Sequence, residues 1–567
     1  MNRTGFLKWS EFESSNNLLY FAQVVEELIS NYTIDSFKLP VHNVYTLILE
    51  YLKTIEHINE GILKEGALSA INEELKDIIS KDSVFIDIFS DKTEMLINSL
   101  NNGDIANAQS IFLYVKDFLE KKYKFLVIKK LKERIVEGNY VEINRLSKSL
   151  LIMALTDGCS IGYIRKCHNE LFKINKVDSI EIYDAFVRLV FPEDREYSII
   201  FSASKGFKLI DNFDSSDIKV ISSVEMKNIS GFEGNSDASY VLVRVKSKDY
   251  LKAYSKSKYL IEKHTSLLVM VNHKVKYIVK NGVLISEDGQ GFFKYGGRSN
   301  PIRQSPYQKI KISEIECSLK NYNSESRRKI ELAYIKHLNA VKSVSYQSQL
   351  VDLWSGFEIL IPINSLGKNK IESMCEVIVP VISSHYFRKI FNYLIGFIRH
   401  KSNREISVLL SSVSGSKVDA LMKILMVKEY ESVFNEIILT LDSNPILKQK
   451  LLYYKNEFSK TEDILRIFDN HKRRVEWQLR RIYRARNLIV HSGKMPYQLD
   501  SLIENLHHYY DLFLMEINLS AEKTEVSNSL EYFLLEYKFK DQKYRRFLQK
   551  NKKTIIELKN YNEFVGQ

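Results

Sequence analysis

Near its C-terminus the chain reads Arg486-Asn487-Leu488-Ile489-Val490-His491-Ser492-Gly493. A guanidinium, a carboxamide and an imidazole thus lie within one short, otherwise apolar segment. Arginine keeps its charge at every physiological pH and presents a planar fork of donors, whereas histidine titrates near neutrality. Together they suit chemistry on a phosphodiester. One group moves a proton, and the other stabilises the charge that builds on the phosphate oxygens.

The element that must carry these groups can be followed backwards. Ser459-Lys460-Thr461-Glu462 fits a capping box and predicts a helix from there to His491, about 45 Å long. Gly493 is the residue type that ends helices by adopting the left-handed conformation. Ile464, Phe468, Val475, Leu479, Ile482 and Ile489 recur at helical spacing as one apolar stripe, and Arg486 takes the next slot in it. A charge there is costly unless it meets a partner or an interface. Arg473, Arg480, Arg484, Asn487 and His491 fall together on a neighbouring face. Read functionally, the three arginines are RNA-binding residues, a track of phosphate contacts leading to His491. Read structurally, they are a solvated basic face, and His491 is a cation favoured by the helix dipole. Arg486 and His491 are five residues apart, roughly 140° around an ideal helix. They converge only if the last turn is distorted or a second chain completes the site.

Arg486-Asn487-x-x-x-His491 at the end of a long helix resembles the Arg-x(4–6)-His signature of HEPN domains. These are helical and often metal-independent endoribonucleases. Upstream, Leu353-Trp354-Ser355-Gly356-Phe357-Glu358 is similar to the tryptophan- and glutamate-bearing helix of the Apea-like HEPN branch, found in large bacterial proteins linked to phage defence. The likeness covers about residues 310–520. It implies catalytic roles for Arg486, Asn487 and His491, with Glu358 in support through a pairing with Arg486. It also implies RNA cleavage by 2′-hydroxyl attack to a 2′,3′-cyclic phosphate, with no metal and no cofactor. The expected partners are RNA and a second copy of the chain, with a phage-derived or small-molecule trigger. Gly493 stands where some toxin members carry a modified tyrosine, so control by that route is not expected. A different class of reading remains open, that of a non-catalytic helical module binding RNA or protein through the same basic face.

Composition agrees with a polyanionic partner. The 567 residues carry a formal net charge of +12, and only 8 prolines and 21 glycines, as long helices require. Cys159, Cys167, Cys317 and Cys375 are too few and too scattered for a disulfide framework or a zinc site. Cys159 with Cys167-His168 reads as core packing, and His507-His508 as helix-surface residues. Walker, Gly-x-Ser-x-Gly and His-Glu-x-x-His motifs are absent, which disfavours ATPase, serine-hydrolase and zinc-protease readings. Neither a signal peptide nor a membrane span is evident, so a cytoplasmic protein is expected.

The fold class expected is mainly α and multidomain. Residues 1–187 form a helical N-terminal region, and residues 188–305 a small antiparallel β-rich domain. Residues 306–520 form the HEPN-like helical bundle. Residues 521–567 form a basic extension whose aromatics either stack on RNA or pack against the domain. In the β-rich block, Ser266–Val271 reads as a strand and Lys280-Asn281-Gly282-Val283 as a tight hairpin. Gly289-Gln290-Gly291 reads as turn and linker.

Overall fold

In a computed structural model, the chain is described over residues 6, 8–30, 42–101, 104–204, 206–207, 217–232, 239–274, 277–296, 312–343, 345–361, 369–400, 404–441, 444–458, 460–496, 498–521 and 529–565. It is mainly helical with one antiparallel sheet. It divides into two compact units, and the division is not the sequential one. One unit combines residues 13–150 with residues 301–567; the other holds residues 5–12 and 151–300. The expected boundary at 187 therefore falls earlier. The helices Ile161–Asn169 and Glu181–Val190 belong with the sheet, and the first helices belong with the C-terminal bundle.

The sheet unit is built on five strands in the order β2-β3-β1-β4-β5, all antiparallel. They are β1 Arg195–Ala203, β2 Ile218–Ile221, β3 Ser239–Ser247, β4 Val279–Glu287 and β5 Phe293–Tyr295. Alternation sorts the side chains, so Ile199 and Phe201 of β1 pack under the helix Tyr250–Val271, and Ile200 enters the opposite cluster with Leu242 and Leu284. Two expectations fail here. The apolar run Ser266–Val271 is the end of that helix rather than a strand. Asp249 nucleates the helix by accepting from the backbone N–H groups of Leu251 and Lys252, and nothing in the run interrupts it. Nor is Lys280–Val283 a hairpin. It lies inside β4, where the pairing steps from Phe201↔Val283 to Ala203↔Val279, so Gly282 sits at a bulge. The hairpin is instead Asp288-Gly289, both at positive φ (48° and 74°), between β4 and β5.

In the helical unit the motif helix runs unbroken from Thr461 to Ser492, with Gly493 at φ 65° as its left-handed cap. The expected capping box begins at Ser459, which lies outside the described residues. Lys460 is the N-cap and makes no side-chain cap bond, the Glu462 N–H donates to the carbonyl of Lys552, and the Thr461 hydroxyl donates to that of Thr554. The segments 370–400 and 417–439 each hold two helices, Lys370–Ser383 with Tyr386–His400 and Lys417–Met426 with Glu431–Leu439.

The middle of the motif helix is buried on more than one face. Val475, Leu479 and Ile482 join a core with Trp354, Phe357, Tyr509, Tyr510 and Phe513. Another face meets the helices Val44–Asn59 and Leu68–Ile79 through charge. Arg481 Nε donates to Glu50 Oε2 at 2.9 Å and its terminal nitrogen to Glu74 Oε2 at 2.5 Å, while Arg484 reaches Glu50 Oε1 at 2.5 Å. His42 Nε2 closes the cluster 2.9 Å from Glu50. Burial alone would raise the Glu50 carboxyl, but Arg481, Arg484 and His42 outweigh it and hold the group well below its ordinary value of 4.5.

A carboxyl lowered on folding stabilises the folded state above its unfolded pKa, and this contribution disappears as pH falls through the folded value. Glu50→Gln, which leaves two buried guanidiniums short of counter-charge, is expected to cost about 3–5 kcal/mol near neutral pH. Denaturant titration at neutral pH and below pH 4 checks this, and the gap between wild type and variant should narrow on acidification.

Candidate functional site

The site is set by where Glu358 points. The helix Tyr346–Leu360 places Trp354 and Glu358 four residues apart on one face, and Trp354 Nε1 donates to Glu358 Oε1 at 2.8 Å. The indole itself is fully buried against Tyr483 of the motif helix, ring centroids 5.6 Å apart. This explains the spacing of the Trp-x-x-x-Glu pattern: the ring anchors the helix, and its N–H fixes the carboxylate. Lys370, at the start of the helix Lys370–Ser383, lies 2.8 Å from the same oxygen. Arg486 lies 3.8 Å from the other oxygen, so the pairing expected between Glu358 and Arg486 is present, although loose. Lys370 is a cation that the motif reading missed, because nothing in the local sequence links it to Glu358.

Arg486 is four-fifths buried and also donates to Asn487 Oδ1 at 3.2 Å. Its Nε is buried with no hydrogen-bond partner among the described residues. A guanidinium held this way keeps donor capacity in reserve, as anion binding requires. His491 is exposed on the last turn. Because the helix stays regular up to Gly493, whose N–H still bonds to Ile489, Arg486 and His491 remain roughly 140° apart. Within one chain they do not converge. Val490 and Met495, both about half exposed, leave apolar surface at this end of the helix.

The arginine ridge does not survive as a track. Arg484 is buried and committed to Glu50, and Arg480 donates twice to Glu476 Oε1, at 2.9 and 2.7 Å. Arg473 alone of the three is exposed. The helical wheel put them on one side correctly, but the N-terminal helices cover part of that side. A clearer basic and aromatic surface lies on the helix Leu530–Lys550. Tyr532 and Phe539 are exposed there beside Lys540, Lys543, Arg546 and Lys550, whereas Phe533, Tyr537 and Tyr544 turn inward. The inward aromatics pack against the domain, while Tyr532 and Phe539 stay on the solvent side of the same helix.

The histidines behave differently from expectation as well. His507 is buried, not a surface residue, and burial holds it below the ordinary histidine range. Its Nε2 lies 3.0 Å from His337 Nε2, and Asp511 Oδ1 stands 3.3 Å from His337 and 3.6 Å from His507. Among the described residues the donor atoms of these three side chains lie close enough together that they could hold a cation. The His507-x-x-x-Asp511 spacing was visible in the sequence, but its partner His337, on a different helix, was not.

Set against protein-family models, curated proteins and solved structures, the chain matches none. The likeness at the two motifs therefore rests on their own residues.

Gly356 makes this geometry accessible. A Cβ built there would lie 2.6 Å from Tyr510 Cζ, inside a phenol whose hydroxyl donates to the carbonyl of Ala333 at 2.9 Å. Gly356→Ala is expected to destabilise the helical unit by about 1–3 kcal/mol through overpacking. Gly396→Ala, with open space at the same atom, should be neutral or stabilise by under about 1 kcal/mol. Parallel urea titrations of the two variants compare these outcomes.

Proposed function

We propose that the chain is an endoribonuclease of HEPN type, acting through Arg486, Asn487 and His491 without a catalytic metal. The observation that carries this reading is the state of Arg486. It is mostly buried, tethered by Glu358 at 3.8 Å with one donor unmet, and sits a turn and a half before an exposed histidine. In this reading Arg486 holds the scissile phosphate, and Asn487 orients the guanidinium that it already touches. One His491 accepts the proton of the ribose 2′-hydroxyl as the oxygen attacks phosphorus. A second, protonated His491 gives its proton to the departing 5′-oxygen. The products are a 2′,3′-cyclic phosphate and a free 5′-hydroxyl.

Two histidines, and an arginine facing away from its own histidine, call for two chains. A homodimer joined at the C-terminal end of the motif helix would place His491 of one copy by Arg486 of the other. The exposed Val490 and Met495 support such a contact. The cellular setting proposed is bacterial defence against phage by abortive infection, with a trigger that releases the activity. It rests on the motif resemblance. Cytoplasmic residence belongs to the same proposal. Among the described residues no helix is long and apolar enough to cross a membrane.

A second reading, an RNA-binding module without catalysis, is favoured by the exposed aromatic and basic face of Leu530–Lys550. Both readings give RNA affinity that weakens with salt. Chemistry separates them. With full-length protein and cellular RNA in magnesium-free buffer, wild type should leave cyclic-phosphate ends. His491→Ala should lower the rate about 10²–10⁴-fold while RNA binding persists. Arg486→Ala should lose cleavage as well. Cleavage that survives both substitutions would remove the site, and an RNA complex that is never cut, with or without phage lysate, would favour the binding module.

A further inference from the structure

The helices Ser324–Lys342 and Leu499–Ala521 bring together three side chains that the ribonuclease chemistry does not use. His507 and Asp511 are four residues apart on one helical face, and His337 enters from the other helix. We infer that His337, His507 and Asp511 are the ligands of one divalent transition-metal ion of the zinc class, bound inside the helical bundle.

The distances carry this further than a hydrogen-bonded cluster would. The three donor atoms form a nearly equal-sided triangle with edges of 3.0, 3.3 and 3.6 Å. A point equidistant from all three, in their plane, lies about 1.9 Å from each. An ion at zinc's bond lengths of roughly 2.0–2.2 Å would sit about 0.6–1.1 Å out of that plane, as over one face of a tetrahedron. The two rings lie 18° from parallel, with centroids 5.1 Å and Nε2 atoms 3.0 Å apart, so the Nε2 corners face each other nearly head-on and an ion would sit to one side of the line joining them.

Protons alone account for the arrangement less well. A single N–H shared between the two rings satisfies the 3.0 Å edge, but it leaves the carboxylate oxygen too far from either nitrogen for a charge-assisted bond, which closes to about 2.7–2.9 Å. With no proton there, three lone-pair-bearing atoms face one another in a buried place, which is unfavourable without a cation. Imidazole and carboxylate are the donors that zinc takes in four-coordinate sites.

The surroundings fit an ion with three protein ligands and one open position. His507 and Asp511 are buried, and His337 keeps 27% of its side chain exposed, which leaves a side for entry and for a water ligand. Tyr510 lies parallel to the His337 ring, centroids 5.8 Å apart, and its hydroxyl is bonded back to Ala333 on the same helix as His337. The ring is thereby held in orientation from outside the donor set. The ion would pin the helix Ser324–Lys342 to the helix Leu499–Ala521. It takes no part in the proposed cleavage, so its test stands or falls separately.

That test uses untagged full-length protein, stripped with chelator, desalted and titrated with cobalt(II) and then zinc. One cobalt per chain is expected, with the strong visible absorption of a four-coordinate site, displaced by zinc. Zinc should also raise the melting temperature. His337→Gln, at the most exposed ligand, and the isosteric Asp511→Asn should each weaken uptake at least about tenfold. X-ray absorption of the zinc-loaded wild type should show nitrogen and oxygen neighbours with imidazole scattering. This measurement decides the ligands even if a variant fails to fold. Folded wild type that takes up neither metal, sulfur neighbours around the zinc, or undiminished uptake by both variants would overturn the assignment.

Discussion

Glu50 is a carboxylate mostly shielded from water and held between two guanidiniums of the motif helix, and much of the helical unit follows from that arrangement. Neither charge type could be buried alone, because desolvating an isolated ion costs more than any packing around it returns. Glu50 gives Arg481 and Arg484 their counter-charge, Glu74 and Gln478 accept from the two terminal nitrogens of Arg481, and His42 lies against the second oxygen of Glu50. The N-terminal helices are therefore part of the domain that carries the candidate site. A fragment lacking them would leave Arg481 and Arg484 buried against missing partners.

One turn further on, the same helix presents Arg486 to a different acidic partner. Glu358 is shared by Trp354, Lys370 and Arg486: Lys370 is held at 2.8 Å, whereas Arg486 stands 3.8 Å from the other oxygen. That balance differs in kind from the cluster at Glu50. There the distances are short and every guanidinium is spent. At Glu358 the arginine is 3.8 Å away with an unmet donor. The gradient along one helix, from saturated ion pairs to an under-used guanidinium and then an exposed histidine, is what makes its end a candidate for chemistry. The close approach of Tyr510 to Gly356 fixes the tryptophan helix, and thus the position of Glu358, to within a side chain's width.

The regularity of the helix constrains function as firmly as its charges do. A distorted last turn could have brought Arg486 and His491 together within a chain. The intact hydrogen bonding up to Gly493 removes that option, and under the proposed reading two copies would have to supply the complete constellation.

Period and punctuation made much of this legible in the sequence. The 3.6-residue repeat located the motif helix to within a residue of its end, because Gly493 terminates it chemically. The i, i+4 geometry of Trp354 and Glu358, and the need of Arg486 for a partner in an apolar stripe, also followed from local rules. What local rules could not supply was which neighbour covers which face. Arg484 looked like a phosphate contact because a helical wheel knows nothing of Glu50, more than four hundred residues earlier in the chain. His507 looked like a surface residue because His337 comes from a distant helix. Lys280–Val283 looked like a turn because a bulge against β1 exists only once the strands are paired. A side chain's own type and spacing determine what it is able to do; whether it is solvated, paired or aimed at a common point is decided by segments that meet only in the folded unit.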